Sequence, residues 1–243
     1  MTLVAVREQF AKISGRYDLV VDTTDWADNG ADFYINAGQD WLDRRANIGS
    51  KSYSRVFETL AADDWYALFE RCRAIKDVWC SDGDEKWKLS KIDFDVIRAA
   101  YADIPTNIDT DSPLYYSPIF LRRTPETSGT ITIDFFGTTE FKDETKDHYT
   151  YNGLLFMPPS DGDYKLEIHG LFYHPILSAD ADTNYWTETH PLVLVMASCR
   201  ALEVTYRNKT GIKDWEYSID SELFGLDKDS VEEEYPDDSE MEG

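Results

Sequence analysis

The sequence predicts an α+β protein: a helical bundle built from N- and C-terminal helices, a β-rich region inserted between them, and an extended acidic C-terminal arm. Three observations carry this expectation. Apolar residues recur every three or four positions at both ends of the chain, so both ends read as helices. The middle changes to two-residue alternation punctuated by turn residues, the pattern of strands. Pro191–Tyr206 is apolar on nearly every side, which places a helix inside a protein rather than on its surface. The expected division is 1–49 with 177–226 for the helical core, 50–176 for the insertion and 227–243 for the arm.

In chain order, Thr2 can cap a first helix that carries Leu3, Val6, Phe10 and Ile13 on one face and stops at Gly15. An acidic loop, Asp22–Asp32, leads to a second helix near Ala31–Ala46. Tyr34, Ile35, Gly38, Trp41 and Leu42 fall within one arc of it, about 120° wide at 100° per residue. Gly38 weakens that helix, and close approach of another helix is the expected compensation. Arg44 and Arg45 suit the negative end of its dipole.

From Ser50 the period is that of strands. Tyr53–Leu60 alternates, Asp63-Asp64 turns, and Trp65–Phe69 returns as a strand. Ala74–Cys80 and Lys86–Leu89 flank the turn Ser81–Asp84. Asp93 or Asp95 can cap a short helix through Val96, Ile97 and Tyr101, and Pro105–Pro113 reads as loop. Tyr115–Leu121, Thr130–Phe136, Tyr151–Met157 and Tyr164–Tyr173 are further strands, with Thr138–Asp147 as an exposed loop tip.

Thr187 or Thr189 can cap the buried helix, with Pro191 in its first turn. After the turn Asn208–Gly211 a second helix places Ile212, Trp215, Ile219, Leu223 and Leu226 on one face. The packing expected of the helical core joins Tyr34, Gly38 and Trp41 to Leu192, Val195, Met196 and Cys199, with Trp215 and Ile219 beside them. The arm holds nine acidic residues against Lys228 alone, a composition that does not fold by itself.

Charge and motifs narrow the function. With 47 acidic and 24 basic residues the net charge is −23, which opposes binding to phosphate backbones or anionic membranes, so no sequence-specific nucleic acid and no membrane partner is expected. The three cysteines lack metal-ligand spacing and read as reduced thiols. No apolar N-terminal leader and no membrane-spanning run is visible. His169 and His174, an odd number of residues apart, fall on opposite faces of an extended strand; they, His148 and His190 read as scattered histidines. Asp180-Ala-Asp182-Thr-Asn184 imitates the start of a calcium loop, but Tyr185 and Pro191 stand where glycine and a bidentate glutamate belong. No nucleophile elbow, P-loop, dinucleotide fingerprint or zinc-protease motif occurs, so no enzyme, cofactor or metal is expected.

Several strings resemble head–tail adaptor (connector, or neck) proteins of tailed bacteriophages. Ile35–Arg45 is similar to that family's second helix, and Cys72–Trp79 to its central strand. Phe156–Gly162, Gly170–Pro175, Tyr185-Trp186 through His190-Pro191, Tyr206–Asn208 and Trp215 follow in the family's order, covering the chain from about Leu3 to the acidic end. The resemblance implies a virion structural protein of the neck, a twelvefold homo-oligomeric ring that joins the portal protein to a tail or nozzle protein and lines the DNA channel. It also implies an arm that docks on the portal, with Val231, Tyr235, Pro236 and Met241 as its apolar anchors.

Two other readings make different demands. A carbohydrate- or receptor-binding virion module would use an exposed row of aromatics from Trp65, Tyr66, Trp79, Trp87, Tyr115 and Tyr116. A hydrolase would need a concave site with two facing carboxyl groups of divergent pKa.

Overall fold

The computed structural model describes residues 1–45, 54–69, 71–100, 108–122, 130–133, 142–145 and 150–234. Those residues form six α-helices, two four-stranded sheets and a two-stranded hairpin. The chain divides into two compact units, Met1–Ser52 with Tyr173–Gly243, and Tyr53–Phe172.

The expected helical bundle with a β insertion is corrected by this architecture. The fold is mixed and rich in sheet, and the second unit builds its own cores instead of borrowing one from helices. Helices are not confined to the termini: the short helix expected through Val96 and Ile97 is α3, Phe94–Ala100, which lies mid-chain and buries Ile97 against Trp65, Tyr66 and Leu155. The physical reason is that the strands Thr150–Met157 and Tyr164–Phe172 carry buried apolar residues (Leu154, Leu155, Phe156, Leu166 and Ile168) enough to close cores within the unit.

In the first unit, α1 (Leu3–Ser14) buries Leu3, Val6, Phe10 and Ala11 and ends at Gly15, whose φ of +70° few other residues adopt. α2 (Ala31–Arg45) lies on α5 (Pro191–Thr205). At their crossing a Cβ on Gly38 would stand 2.7 Å from the Ser198 nitrogen and 2.8 Å from the Ala197 carbonyl carbon, so the approach admits no side chain. Tyr34 and Trp41 pack at the edge of this core, while Val195, Met196 and Cys199 lie within it. Leu192 departs from the expected packing: it is 56% exposed on the first turn of α5, and Val193 and Leu194 take the buried places. α5 is packed by α1, α2 and the helices that precede and follow it, and an apolar run around such a helix cannot say which residue of its first turn is left to solvent.

α4 (Tyr185–Thr189) is capped by Asn184, whose side chain accepts from the Thr187 N–H while Thr187 Oγ1 accepts from the Asn184 N–H. Neither Thr187 nor Thr189 caps α5, which starts from His190 and Pro191. The final helix, α6 (Lys209–Glu234), sets Trp215, Ile219 and Leu223 against the core. The left-handed residue of the α5–α6 turn is Arg207, φ +57°, and not Gly211, which already belongs to α6. A Cβ on Gly211 would meet only side-chain ends, Asn208 Nδ2 at 2.7 Å and Glu203 Cδ at 2.9 Å, which can move aside. The extended arm is also corrected, because α6 runs unbroken through Val231 to Glu234 and contains no proline. Tyr235, Pro236 and Met241 lie outside the described residues.

In the second unit, β1 (Ser54–Leu60), β10 (Tyr164–Phe172), β3 (Cys72–Ser81) and β4 (Lys86–Lys88) form one antiparallel sheet in that order. Strands β2 (Tyr66–Phe69), β9 (Thr150–Met157), β6 (Tyr115–Arg122) and β5 (Ser90–Lys91) form the other, with β5 parallel to β6. Val78, Cys80, Leu154, Phe156, Leu166 and Ile168 share one core. The expected loop tip Thr138–Asp147 contains a strand, β8 (Lys142–Thr145), paired with β7 (Thr130–Ile133). The remainder of the strand expected over Thr130–Phe136, residues 134–136, lies outside the described residues. The strand expected to run to Tyr173 ends at Phe172, so His169 and His174 fall in different units and share no strand.

Candidate functional site

Beside its apolar arc, α2 carries a polar stripe. Asp32, Asn36, Gln39 and Asp43 fall within about 60° of one another at 100° per residue. A surface helix turns such a stripe to water. Here it is turned inward and forms a seam with segments far along the chain.

Asp32 accepts from Arg7 Nε at 2.6 Å, and Asp180 holds the same guanidinium, whose side chain is 2% exposed. The bond to Asp32 is the largest influence raising the Arg7 pKa; burial opposes it and Asp180 adds to the rise. Asn36 pairs with the backbone of Leu177 in both directions, each bond 2.9 Å. Gln39 donates to the carbonyls of His174 and Pro175, both at 3.0 Å, and accepts from Asn184.

At the end of the stripe the buried carboxyl of Asp43 gathers three donors. Oδ2 accepts from the His174 N–H at 2.9 Å. Oδ1 lies 2.7 Å from His174 Nδ1 and accepts from Trp186 Nε1 at 2.7 Å. The His174 ring stacks on Tyr185, centroids 5.6 Å apart and planes 18° apart, and His190 completes the aromatic cluster. Next along α2, Arg44 donates to the Tyr173 hydroxyl at 2.6 Å, and Arg45 grips Asp220 of α6 at 3.1 and 2.7 Å. The seam therefore fastens Tyr173–Leu177, α4 and α6 to a single helix.

This arrangement positions; among the described residues no serine, threonine or cysteine is hydrogen-bonded to the His174 ring to serve as a nucleophile. Burial pushes the Cys80 and Cys199 thiols up to about 12 and the half-buried Cys72 up to about 11, which disfavours the nucleophilic thiolate near neutral pH. The calcium-like run is consumed within the fold. Asp180 holds Arg7, Asp182 accepts from the Ser178 and Ala179 N–H groups at 2.8 Å, and Asn184 caps α4. Those backbone bonds hold Asp182 below the usual carboxylate range, as the Thr24 and Asp25 amides do for Asp22 in the acidic loop. Among the described residues no group of three or more His, Cys, Asp or Glu could hold a metal ion.

The aromatics of the second unit do not form an exposed row. Trp65, Tyr66 and Tyr116 are buried, Trp87 donates to the Pro113 carbonyl at 2.8 Å, Lys86 lies over the Trp79 ring, and Tyr115 alone of the six is exposed. Beside Trp79, Glu167 binds Lys86 and meets His169 Nε2 at 2.8 Å. His148 lies outside the described residues.

Sequence reasoning missed the Asp43–His174–Trp186 node and the Asn36, Gln39 and Asn184 contacts. The available signal was the spacing of Asp32, Asn36, Gln39 and Asp43, a second stripe as regular as the apolar one. Among the described residues no helix is long and apolar enough to cross a membrane. No protein-family model matches the chain, and no curated protein matches it.

Proposed function

We propose that this chain is a structural subunit of a phage neck, an adaptor ring that joins the portal protein to a tail or nozzle protein and surrounds the DNA channel. One observation carries the reading. The strings that resemble the adaptor family are far apart in sequence, yet those of the first unit meet along one seam. Ile35–Arg45 supplies Gln39, Asp43 and Arg44, and Tyr173, His174, Pro175 and Trp186 bind to them directly. Chance matches scattered over a chain have no reason to be mutual hydrogen-bond partners; matches that preserve a shared scaffold do.

Charge supports the same reading. A conduit through which DNA moves must not hold phosphates, and a net charge of −23 repels them. The stacked, doubly anchored seam suits a part that bears load rather than one that turns over substrate. Particle images of the purified protein, alone and mixed with portal complexes, test the proposal: closed rings seated on the portal are expected, and a monomer that ignores the portal would overturn it.

A further inference from the structure

We infer that the corner where α5 turns into α6 receives the acidic segment Asp237–Glu242 of a second copy of this chain; the inference deepens, and rests on, the ring reading.

The corner is anomalous in its own unit. Every other described arginine or lysine side chain there has a partner: Arg7 has Asp32 and Asp180, Lys12 has Glu8, Arg16 has Asp18, Arg44 has Tyr173, Arg45 has Asp220 and Arg200 has Glu216. Arg207, Lys209 and Lys213 are exposed, and no hydrogen bond or ion pair joins their side chains to any described residue. This happens in a chain with twice as many acids as bases, where a partner would be easy to supply.

Their placement also opposes the helix that bears them. The first turn of α6 contains no acid of its own, although the Glu203 carboxyl lies beside Gly211, and Lys209 and Lys213 are like charges one turn apart. Breaks of a local rule of this kind are expected at functional sites. Apolar surface adjoins the cations: Val204 is 45% and Tyr206 56% exposed, and the Arg16 guanidinium lies 5.3 Å above the Tyr206 ring. The occupant should therefore be acidic with a few apolar anchors. Asp237, Asp238, Glu240 and Glu242, with Tyr235 before them, Met241 among them and no cation, have that composition.

Reach decides which copy supplies it. The 26 residues of α6 carry Glu234 about 39 Å from the corner at ~1.5 Å per residue. Glu242 follows Glu234 by eight residues, at most about 28 Å of extended chain. Asp237 and Asp238 follow Glu234 by three and four residues, at most about 14 Å, so they cannot return to their own corner, whereas a neighbour's corner can be brought to them. Such a head-to-tail contact is heterologous and closes a ring when its rotation closes.

The test uses the full chain and a fluorescent peptide with the sequence Val231–Gly243. Anisotropy should show saturable binding that weakens about tenfold in R207E/K209E and falls with added salt. K213E, exposed within α6, is a second variant should the first misfold, and circular dichroism distinguishes the cases. Sedimentation of the full chain should show weaker self-association in R207E/K209E and in D237K/D238K, and recovery when the two are combined in one chain. Absence of peptide binding, equal binding to the variants, or no recovery in the combined variant would overturn the inference. Loss of portal co-sedimentation in R207E/K209E with peptide binding unchanged would assign the corner to the portal, overturning this inference while leaving the ring reading intact.

Discussion

Asp43 holds His174 twice, by the backbone N–H at 2.9 Å and by the ring Nδ1 at 2.7 Å, and so fixes both the path and the side chain of the residue that begins the return from β10. The same carboxyl takes the indole N–H of Trp186, which is 1% exposed. Replacing Asp43 by Ala would strand these donors inside the unit. A buried donor left unmade costs about 1–3 kcal/mol. Urea unfolding of Asp43→Ala should therefore show a loss of about 1–3 kcal/mol or more; an unchanged midpoint would mean that the node contributes nothing to stability.

Gly38 and Leu192 make a matched pair of opposite expectations. A methyl group at Gly38 runs into the backbone of Ala197 and Ser198, which cannot swing aside, so Gly38→Ala should cost about 1–3 kcal/mol. Leu192→Ala removes an exposed side chain and should change stability by less than about 0.5 kcal/mol. Thermal melts of the two variants check both, and reversal of their order would refute the packing at the α2–α5 crossing.

The thiols predict a pH dependence with a definite sign. Burial raises the Cys80 and Cys199 pKa to about 12 in the folded chain, against about 8.5 when unfolded. Their neutral forms therefore favour the native state fully below about 8.5, and that contribution fades as pH climbs toward 12. The C80A/C199A variant should lose stability less steeply than the parent across that window in denaturant titrations. Both thiols should also resist a disulfide reagent at pH 8 until the protein is unfolded; prompt labelling of the native chain would contradict their burial.

Duplex DNA should not bind. With a net charge of −23, anisotropy at low salt is expected to show no saturable association. Micromolar affinity that declines with salt would show that a cationic surface, the Arg207–Lys213 corner foremost, engages phosphate, and the repulsive-channel argument would fail.

Much of the local structure was legible because it depends on neighbours in the chain. The spacing of Leu3, Val6 and Phe10 with Gly15 behind them marks α1 to within a residue. The turn residues Ser81–Asp84 mark the β3–β4 hairpin. Gly38 in an apolar arc called for a close helix, and the Ala197–Ser198 backbone is the partner that it meets. What escaped depends on segments remote in sequence. Nothing local says that β1 pairs with β10 while β2, six residues on, pairs with β9, because alternation sets a strand's faces but not its neighbours. Nor does periodicity say that Asp43 is buried. Alone on a helix a carboxyl belongs in water; it goes inside only when donors such as His174 and Trp186, more than 130 residues later, arrive to offset its lost hydration. Patterns along the chain therefore determined the helices, strands and turns, and the exchange of water for distant partners decided which of their polar residues became the seam.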